Sequence, residues 1–330
     1  MNIKIPDISK EINKKDLLNT LNSHYSALGP IWVTQQMDWM CGIYTSFKNH
    51  DKFLIVIYLL KKTLDFYSIN FVSLSYDEFY KKDTVEIGNF TISEIAQELN
   101  IPKESARRKV NELEELGVIK KFKKKIIIDR SAFEYVKPTN TIKRISRFLA
   151  VFSKMLSEDE VLEETIKSSH LEIVIKNNFS FIWKIYYAMQ IPMLLEYKKI
   201  FKDLESFHIF GTCVVNQHLY THTKDSDKII VDREKFLQIM VDEKMQGINA
   251  MSISDITGIP RATVTRKLKL LVKKKVLSID NKKHYRLTGN IVKKLKPMQK
   301  SILVQLANFS TKIFNSDLVN KEEEYKVPLY

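Results

Sequence analysis

Apolar positions along the chain recur mostly at three- and four-residue intervals, the pattern of helices that turn one face to a core. That spacing predicts helices over residues 16–28, 51–64, 141–156, 158–176, 179–201, 204–220 and 291–315, followed by a charged tail over 321–330. Residues 68–74 alternate in a strand-like way, and residues 228–232 suit a short strand. Lys137-Pro138-Thr139-Asn140 reads as a linker turn. The longest fully apolar run, Phe53 to Leu60, is far too short to span a bilayer. Between Phe179 and Leu195 the apolar character is broken by Lys184, Gln190 and Pro192, which predicts a buried helix kinked at the proline. Its aromatic cluster, Phe179, Phe181, Trp183, Tyr186 and Tyr187, is expected in the core.

Two segments repeat one pattern. The first is Ile95-x5-Ile101-Pro102-Lys103-x-Ser105-x2-Arg108-Lys109-x3-Leu113, and the second, 158 positions later without a gap, is Ile253-x5-Ile259-Pro260-Arg261-x-Thr263-x2-Arg266-Lys267-x3-Leu271. Each predicts a short helix, a tight turn and a second, basic helix. Ile95 and Leu99, then Ala106, Val110 and Leu113, mark the inward face of the first copy; Ile253, Val264, Leu268 and Leu271 do so in the second. Asn100 and Gly258 stand where a left-handed residue ends the first helix. Pro102 and Pro260 follow at a helix start, where a missing N–H costs nothing. The opposite face then carries Lys103, Glu104, Arg107, Arg108 and Asn111 in one copy. In the other it carries Arg261, Ala262, Thr265, Arg266 and Lys269, with Thr263 near the same amino-terminal turn. The duplication extends upstream if Ser73-Leu74-Ser75-Tyr76-Asp77-Glu78-Phe79 matches Ile230-Val231-Asp232-Arg233-Glu234-Lys235-Phe236.

After each basic helix comes an apolar pair, Val118-Ile119 or Val276-Leu277, and then a strand, a tight basic turn and a second strand. Lys123 and Lys124 fall in the first turn. Lys282 and Lys283 fall in the second, beside the turn residues Asp280-Asn281, with Arg286 on the following strand. Helix, turn, basic helix and basic hairpin together resemble the winged helix-turn-helix regulators of the MarR and cyclic-AMP receptor (Crp-Fnr) families, over about 40 residues per copy. In the receptor family the recognition helix opens Arg-Glu-Thr-Val-x-Arg, and the first Arg, the Glu and the last Arg read bases. Lys103-Glu104-Ser105-Ala106-Arg107-Arg108 keeps the Glu and the last Arg. Arg261-Ala262-Thr263-Val264-Thr265-Arg266 keeps both Arg and loses the Glu, so the resemblance implies different base preferences for the two copies. No cyclic-nucleotide barrel is recognisable upstream, and the family's ligand is not carried over.

Composition agrees with this reading. With 53 Lys and Arg against 39 Asp and Glu, the net charge of +14 suits an anionic partner. Arginine is more selective than charge: five of nine lie in the two repeats and none in the first 106 residues, and its planar fork suits guanine edges and phosphates. The copies are unequal. The span 103–125 carries +5 and the span 255–296 carries +11, so the second copy is expected to dominate affinity. Glu112, Glu114 and Glu115 are expected to hold the far end of the first basic helix away from phosphate.

Two cysteines, Cys41 and Cys213, make no disulfide framework, and a reducing cytoplasm is the simple expectation. His208, Cys213, His218 and His222 raise the question of a metal, but no ligand motif accompanies them, and no metal or cofactor is assigned. No phosphate loop, nucleophile elbow or His-Glu-x-x-His helix is present, so no enzyme activity is expected. The expectation is a mainly α protein with two winged helix-turn-helix domains, each of three helices and a small hairpin wing, joined and flanked by helices. The divisions are residues 1–135, with the first motif at about 91–129; a helical connector at 136–225; the second winged helix at 226–290, with its motif at about 251–289; and a carboxy-terminal helix and tail at 291–330. The expected function is transcription regulation by sequence-specific binding to double-stranded DNA in the cytoplasm, associated with the nucleoid. The final helix is a candidate homodimer element, no membrane contact is expected, and the sequence assigns no small-molecule effector. A plasmid- or phage-type replication initiator and a protein-interaction scaffold are the alternatives.

Overall fold

The structure, a computed structural model, describes residues 11–81, 90–122, 125–129, 132, 136–224, 231–242 and 244–324. Among them the protein is mainly helical, with two small antiparallel hairpins. The amino-terminal helices are α1 (Lys14–Ser23), α2 (Tyr25–Phe47) and α3 (His50–Ile69), followed by α4 (Tyr76–Lys81). Next come α5 (Ile92–Glu98), α6 (Lys103–Glu115) and the hairpin of β1 (Ile119–Phe122) with β2 (Lys125–Ile128). Four long central helices follow: α7 (Thr139–Glu158), α8 (Ser168–Asn177), α9 (Phe179–Phe201) and α10 (Leu204–Lys224). Then α11 (Arg233–Met240), α12 (Ala250–Thr257) and α13 (Arg261–Lys273) lead to a hairpin of β3 (Leu277–Ile279) with β4 (Tyr285–Leu287), and α14 (Gly289–Glu324) ends the chain. No helix among the described residues is long and apolar enough to cross a membrane.

One hydrophobic cluster runs from Ile12 to Phe314 and includes the inward faces of both repeats. At its centre α9 packs against α3 and α14. Phe53 to Leu60 of α3 are all buried, so this helix has no polar face over two turns and is enclosed by its neighbours. On α9, Phe179 stacks on Trp183 at 5.3 Å and Trp183 meets Tyr186 at 4.8 Å. Each such buried aromatic contributes roughly 1.5–3 kcal/mol relative to an exposed one. Phe181 departs from the expected cluster: it sits on the outer side of α9 and is exposed. Pro192 lies inside α9, as Pro30 does inside α2 and Pro297 inside α14. On α14 the apolar face, including Leu306, Phe309, Ile313 and Phe314, is buried within the chain, against α1, α8 and α9.

Several expected elements change. The helix read over residues 16–28 is two helices, because His24 leaves helical geometry (φ −100°, ψ 28°) and its Nε2 meets Asp159 Oδ1 at 2.9 Å. Residues 68–74 form no strand. Ser68 and Ile69 finish α3, and Leu74 bonds through both backbone groups to Ser180, its N–H donating to Oγ at 2.9 Å and its carbonyl accepting from the Ser180 N–H at 3.0 Å. The alternation there finds no partner strand among the described residues, and Phe71 is left exposed. The helix read over 158–176 breaks after Glu158, where Ser153 Oγ accepts from the Ile166 N–H at 3.0 Å, and restarts as α8. Residues 29–47, unassigned by pattern, belong to α2, whose apolar residues surround the helix and leave little periodicity. Most of the strand expected over 228–232 lies outside the described residues. Val231 and Asp232 carry no strand pairing, and Asp232 caps α11 by accepting from the Lys235 N–H at 3.0 Å.

Candidate nucleic-acid interface

The two copies correspond element by element at the 158-residue offset. Phe90 bridges Ile126, and Ile248 bridges Tyr285, each adding a short antiparallel pairing to its hairpin. Thr91 Oγ1 caps α5 by accepting from the Glu94 N–H at 3.2 Å, and Asn249 Oδ1 caps α12 by accepting from the Ser252 N–H at 2.9 Å. Asn100 (φ 48°) and Gly258 (φ 69°) are left-handed, as expected from their places in the turn. Pro102 and Pro260 hold the same geometry, φ −52° with ψ 135° and 134°, immediately before α6 and α13. Both helices end alike: the Val118 N–H donates to the Leu113 carbonyl and the Val276 N–H to the Leu271 carbonyl, each at 2.9 Å, beyond left-handed Gly117 and Lys275. Upstream, α4 and α11 each bury a phenylalanine, Phe79 and Phe236. That agrees with the longer duplication.

The expected faces are found where the periodicity puts them. Ile95, Leu99, Ala106, Val110 and Leu113 are buried, as are Ile253, Val264, Leu268 and Leu271. Lys103, Glu104, Arg107, Arg108 and Asn111 are exposed on α6. Arg261, Arg266 and Lys269 are exposed on α13, with Thr263 and Thr265 half-buried between them. Lys282 and Lys283 are exposed at the tip of the second hairpin. There Asp280 Oδ1 accepts from the N–H groups of Lys282 and His284, both at 2.9 Å, and Lys283 adopts φ 60°. Hydrogen bonds from the His284 and Lys282 backbone hold the Asp280 carboxyl below its usual range. Arg286 sits deeper than expected, half-buried on β4, with Nη1 3.5 Å from the Met245 carbonyl. Lys123 and Lys124 lie outside the described residues.

The repeated Arg-Lys step divides into two jobs that the sequence pattern did not separate. Arg108 and Arg266 point outward, whereas Lys109 and Lys267 are buried at 7% and 9% exposure. Lys109 Nζ lies 3.7 Å from Asp51 Oδ2 in the first turn of α3, and Lys198 of α9 holds the other oxygen of Asp51 at 2.9 Å. Lys267 pairs with Asp203, between α9 and α10. Both basic helices are thus tethered to the same end of the central bundle by equivalent lysines. The signal was present in the spacing: Lys109 falls with Ala106, Val110 and Leu113, and Lys267 with Val264, Leu268 and Leu271, on the apolar stripe. Neither lysine is placed to meet an external partner.

Charge separates the two outward faces. On α6, Arg107 lies 3.3 Å from Glu104 and Arg108 3.7 Å from Glu112, which also binds Lys52 of α3 at 2.7 Å. Lys121 of β1 reaches Glu114 at 2.7 Å and donates to Asn111 Oδ1 at 2.8 Å. These contacts keep the carboxylates of Glu112 and Glu114 ionised, each held below its usual range chiefly by its hydrogen bond to Lys52 or Lys121. On α13 no ion pair engages Arg261, Arg266 or Lys269 among the described residues. The outward face of α6 is thus partly neutralised from within, whereas that of α13 carries positive charge with no ion pair among the described residues.

No protein-family model, curated protein or solved structure matches the chain.

Between the two tethers lies a polar chain. Cys41 Sγ is 3.3 Å from His208 Nε2, His208 Nδ1 is 3.2 Å from His50 Nε2, and His50 Nδ1 is 3.7 Å from Glu205. Burial, then Asp38, pushes the Cys41 thiol up to about 11, so it is protonated at neutral pH and a poor nucleophile. Among the described residues no group of three or more His, Cys, Asp or Glu is arranged to hold a metal. His208 and His218 are instead buried on α10, and the side chain of His222 lies outside the described residues.

Burial, then His50, lowers the His208 pKa from 6.5 to about 3. A histidine depressed in the folded state binds fewer protons folded than unfolded, so its contribution is present above pH 6.5 and is lost as pH falls toward 3. Each unit of depression corresponds to about 1.4 kcal/mol. Thermal melts across that range are expected to show a fall that His208→Asn flattens. Parallel profiles for the two proteins would remove His208 from the account.

Proposed function

We propose that this protein binds double-stranded DNA through two unequal winged helix-turn-helix modules and regulates transcription. The observation that carries the reading is α13: a helix anchored from behind by Lys267 on Asp203, presenting Arg261, Arg266 and Lys269 with no carboxylate partner among the described residues, beside a hairpin tipped by Lys282 and Lys283. A helix of this kind fits the major groove with its amino-terminal turn toward base edges, while the hairpin lysines meet phosphate. In this reading α13 supplies most of the affinity. Module one orients or extends the footprint, since Glu104 and Glu112 compete with phosphate for Arg107 and Arg108.

Duplex binding measured against salt tests this. A protein neutralising six to ten phosphates loses about 10³ to 10⁵ in affinity between 50 and 200 mM salt, and a response of that size is expected. A flat response would leave the modules as protein-docking surfaces. Sites selected from genomic DNA then separate promoter occupancy from the direct repeats of a replication origin.

The internal pairing of α6 gives its own expectation. A Glu104→Gln, Glu112→Gln double variant frees Arg107 and Arg108 and removes two charges that repel phosphate, so it should tighten duplex binding several-fold at low salt. Unchanged affinity would mean that α6 does not approach the duplex.

A further inference from the structure

A mainly apolar cavity of about 100 Å³ lies where the second module joins the helical bundle. Leu237 and Met240 of α11 and Leu287 of β4 contribute walls from the module, and Trp32 of α2 and Phe210 of α10 contribute walls from the bundle. No Asp, Glu, Lys or Arg among the described residues lines it, so an ion entering it would give up its hydration without meeting a counter-charge. An apolar cavity of about 150 Å³ takes a benzene molecule. At about two-thirds of that volume, this one has room for one small ring and excludes anything much larger.

Two glycines keep the space open. Gly29 inside α2 and Gly211 inside α10 both line the cavity, although a helix interior is a costly place for glycine. A Cβ at Gly29 would come within 2.7 Å of the Tyr25 ring, and one at Gly211 would overlap the Met37 thioether. Tyr25 and Met37 are themselves walls of the cavity. The glycines therefore let these two side chains lie back against the helices and leave the room between them unfilled. The lining also holds an unused donor. Gln36 is 6% exposed, and its Nε2 has no hydrogen-bond partner. The Tyr186 hydroxyl lies close by but closes no hydrogen bond with it. A buried donor left in this way is costly, and an acceptor inside the cavity removes that cost.

We infer that this cavity binds a compact, uncharged carbonyl compound of about benzene size, its hydrocarbon part among the apolar walls and its oxygen accepting from Gln36 Nε2.

Calorimetry on the full chain without DNA tests the site independently of the proposed function, using cyclopentanone, cyclopentane and cyclooctanone as probes. Cyclopentanone is expected to bind saturably at one per chain with a Kd below about 1 mM, which is within reach of so small a ligand. Cyclooctanone should not fit. Gln36→Met keeps an unbranched side chain and removes the amide, so it should weaken cyclopentanone by about fivefold or more, the worth of one ordinary hydrogen bond, and leave cyclopentane no weaker. Gly211→Ala pushes on the flexible end of Met37 and should weaken both small rings. Absence of saturable cyclopentanone binding, cyclooctanone binding as tightly, a Gln36→Met loss that is missing or shared equally by cyclopentane, or undiminished binding in Gly211→Ala would each overturn the assignment.

Discussion

Replacing Arg266 with Ala is expected to weaken binding to the preferred duplex by roughly 1 to 3 kcal/mol and to flatten the preference at one base pair. Arg266 is exposed on the outward face of α13, pairs with no carboxylate among the described residues, and stands about one turn beyond Arg261 at the helix start. Arg108 occupies the same place in the repeat but lies 3.7 Å from Glu112, so Arg108→Ala should cost distinctly less. Binding measured to the selected site and to each single-base variant separates the cases. A uniform loss over all sequences would make Arg266 a phosphate contact. Equal losses for the two arginines would contradict the division of labour between the modules.

The second large effect is on stability. Asp203→Ala strips Lys267 of its ion partner and α10 of the cap that Asp203 Oδ1 provides by accepting from the Ser206 N–H at 2.8 Å, and with the pair only partly buried the loss should be about 1 to 3 kcal/mol. Chemical denaturation should register this as a lower midpoint at an unchanged slope. Lys267→Met keeps most of the unbranched apolar stem and removes the charge, leaving Asp203, which is about one-third exposed, to water. That variant should be far closer to the parent in stability and should retain duplex binding. If Lys267→Met abolished binding while folding normally, Lys267 would be a contact rather than a tether. Asp51 is expected to be more forgiving to lose on the Lys109 side only if Lys198, its second partner, can turn to solvent.

Much of this was legible in the one-dimensional pattern, because its causes are local. The positive φ at Asn100 and Gly258 follows from the steric demands of ending one helix two residues before a proline. The thirteen-residue basic helices and their buried stripes follow from three- and four-residue spacing, and the hairpins from short apolar runs around a turn. Residues 179–201 read as one helix because the apolar run is long and its interruptions are few.

What the pattern misjudged depended on distant partners. Residues 68–74 alternate, yet no strand among the described residues lies alongside them, and Ser180 takes the backbone bonds of Leu74 instead. Lys109 and Arg108 are neighbours of like charge in sequence, but Asp51 on another helix draws one inward while the other stays in solvent. Arg233 looked like part of an upstream repeat; only the packing of α11 against α2 leaves it buried, with its Nη2 donating to Gln299 of α14. The sequence by itself determined the two repeated units, their helices and turns, and the outward faces of α6 and α13, since backbone sterics and amphipathic spacing act over a few residues. Spacing puts Lys109 and Lys267 on the apolar stripe, but tertiary structure alone supplied Asp51 and Asp203, which make them tethers, because a charge's role is set by the counter-charges and the burial that packing brings within a few ångströms of it.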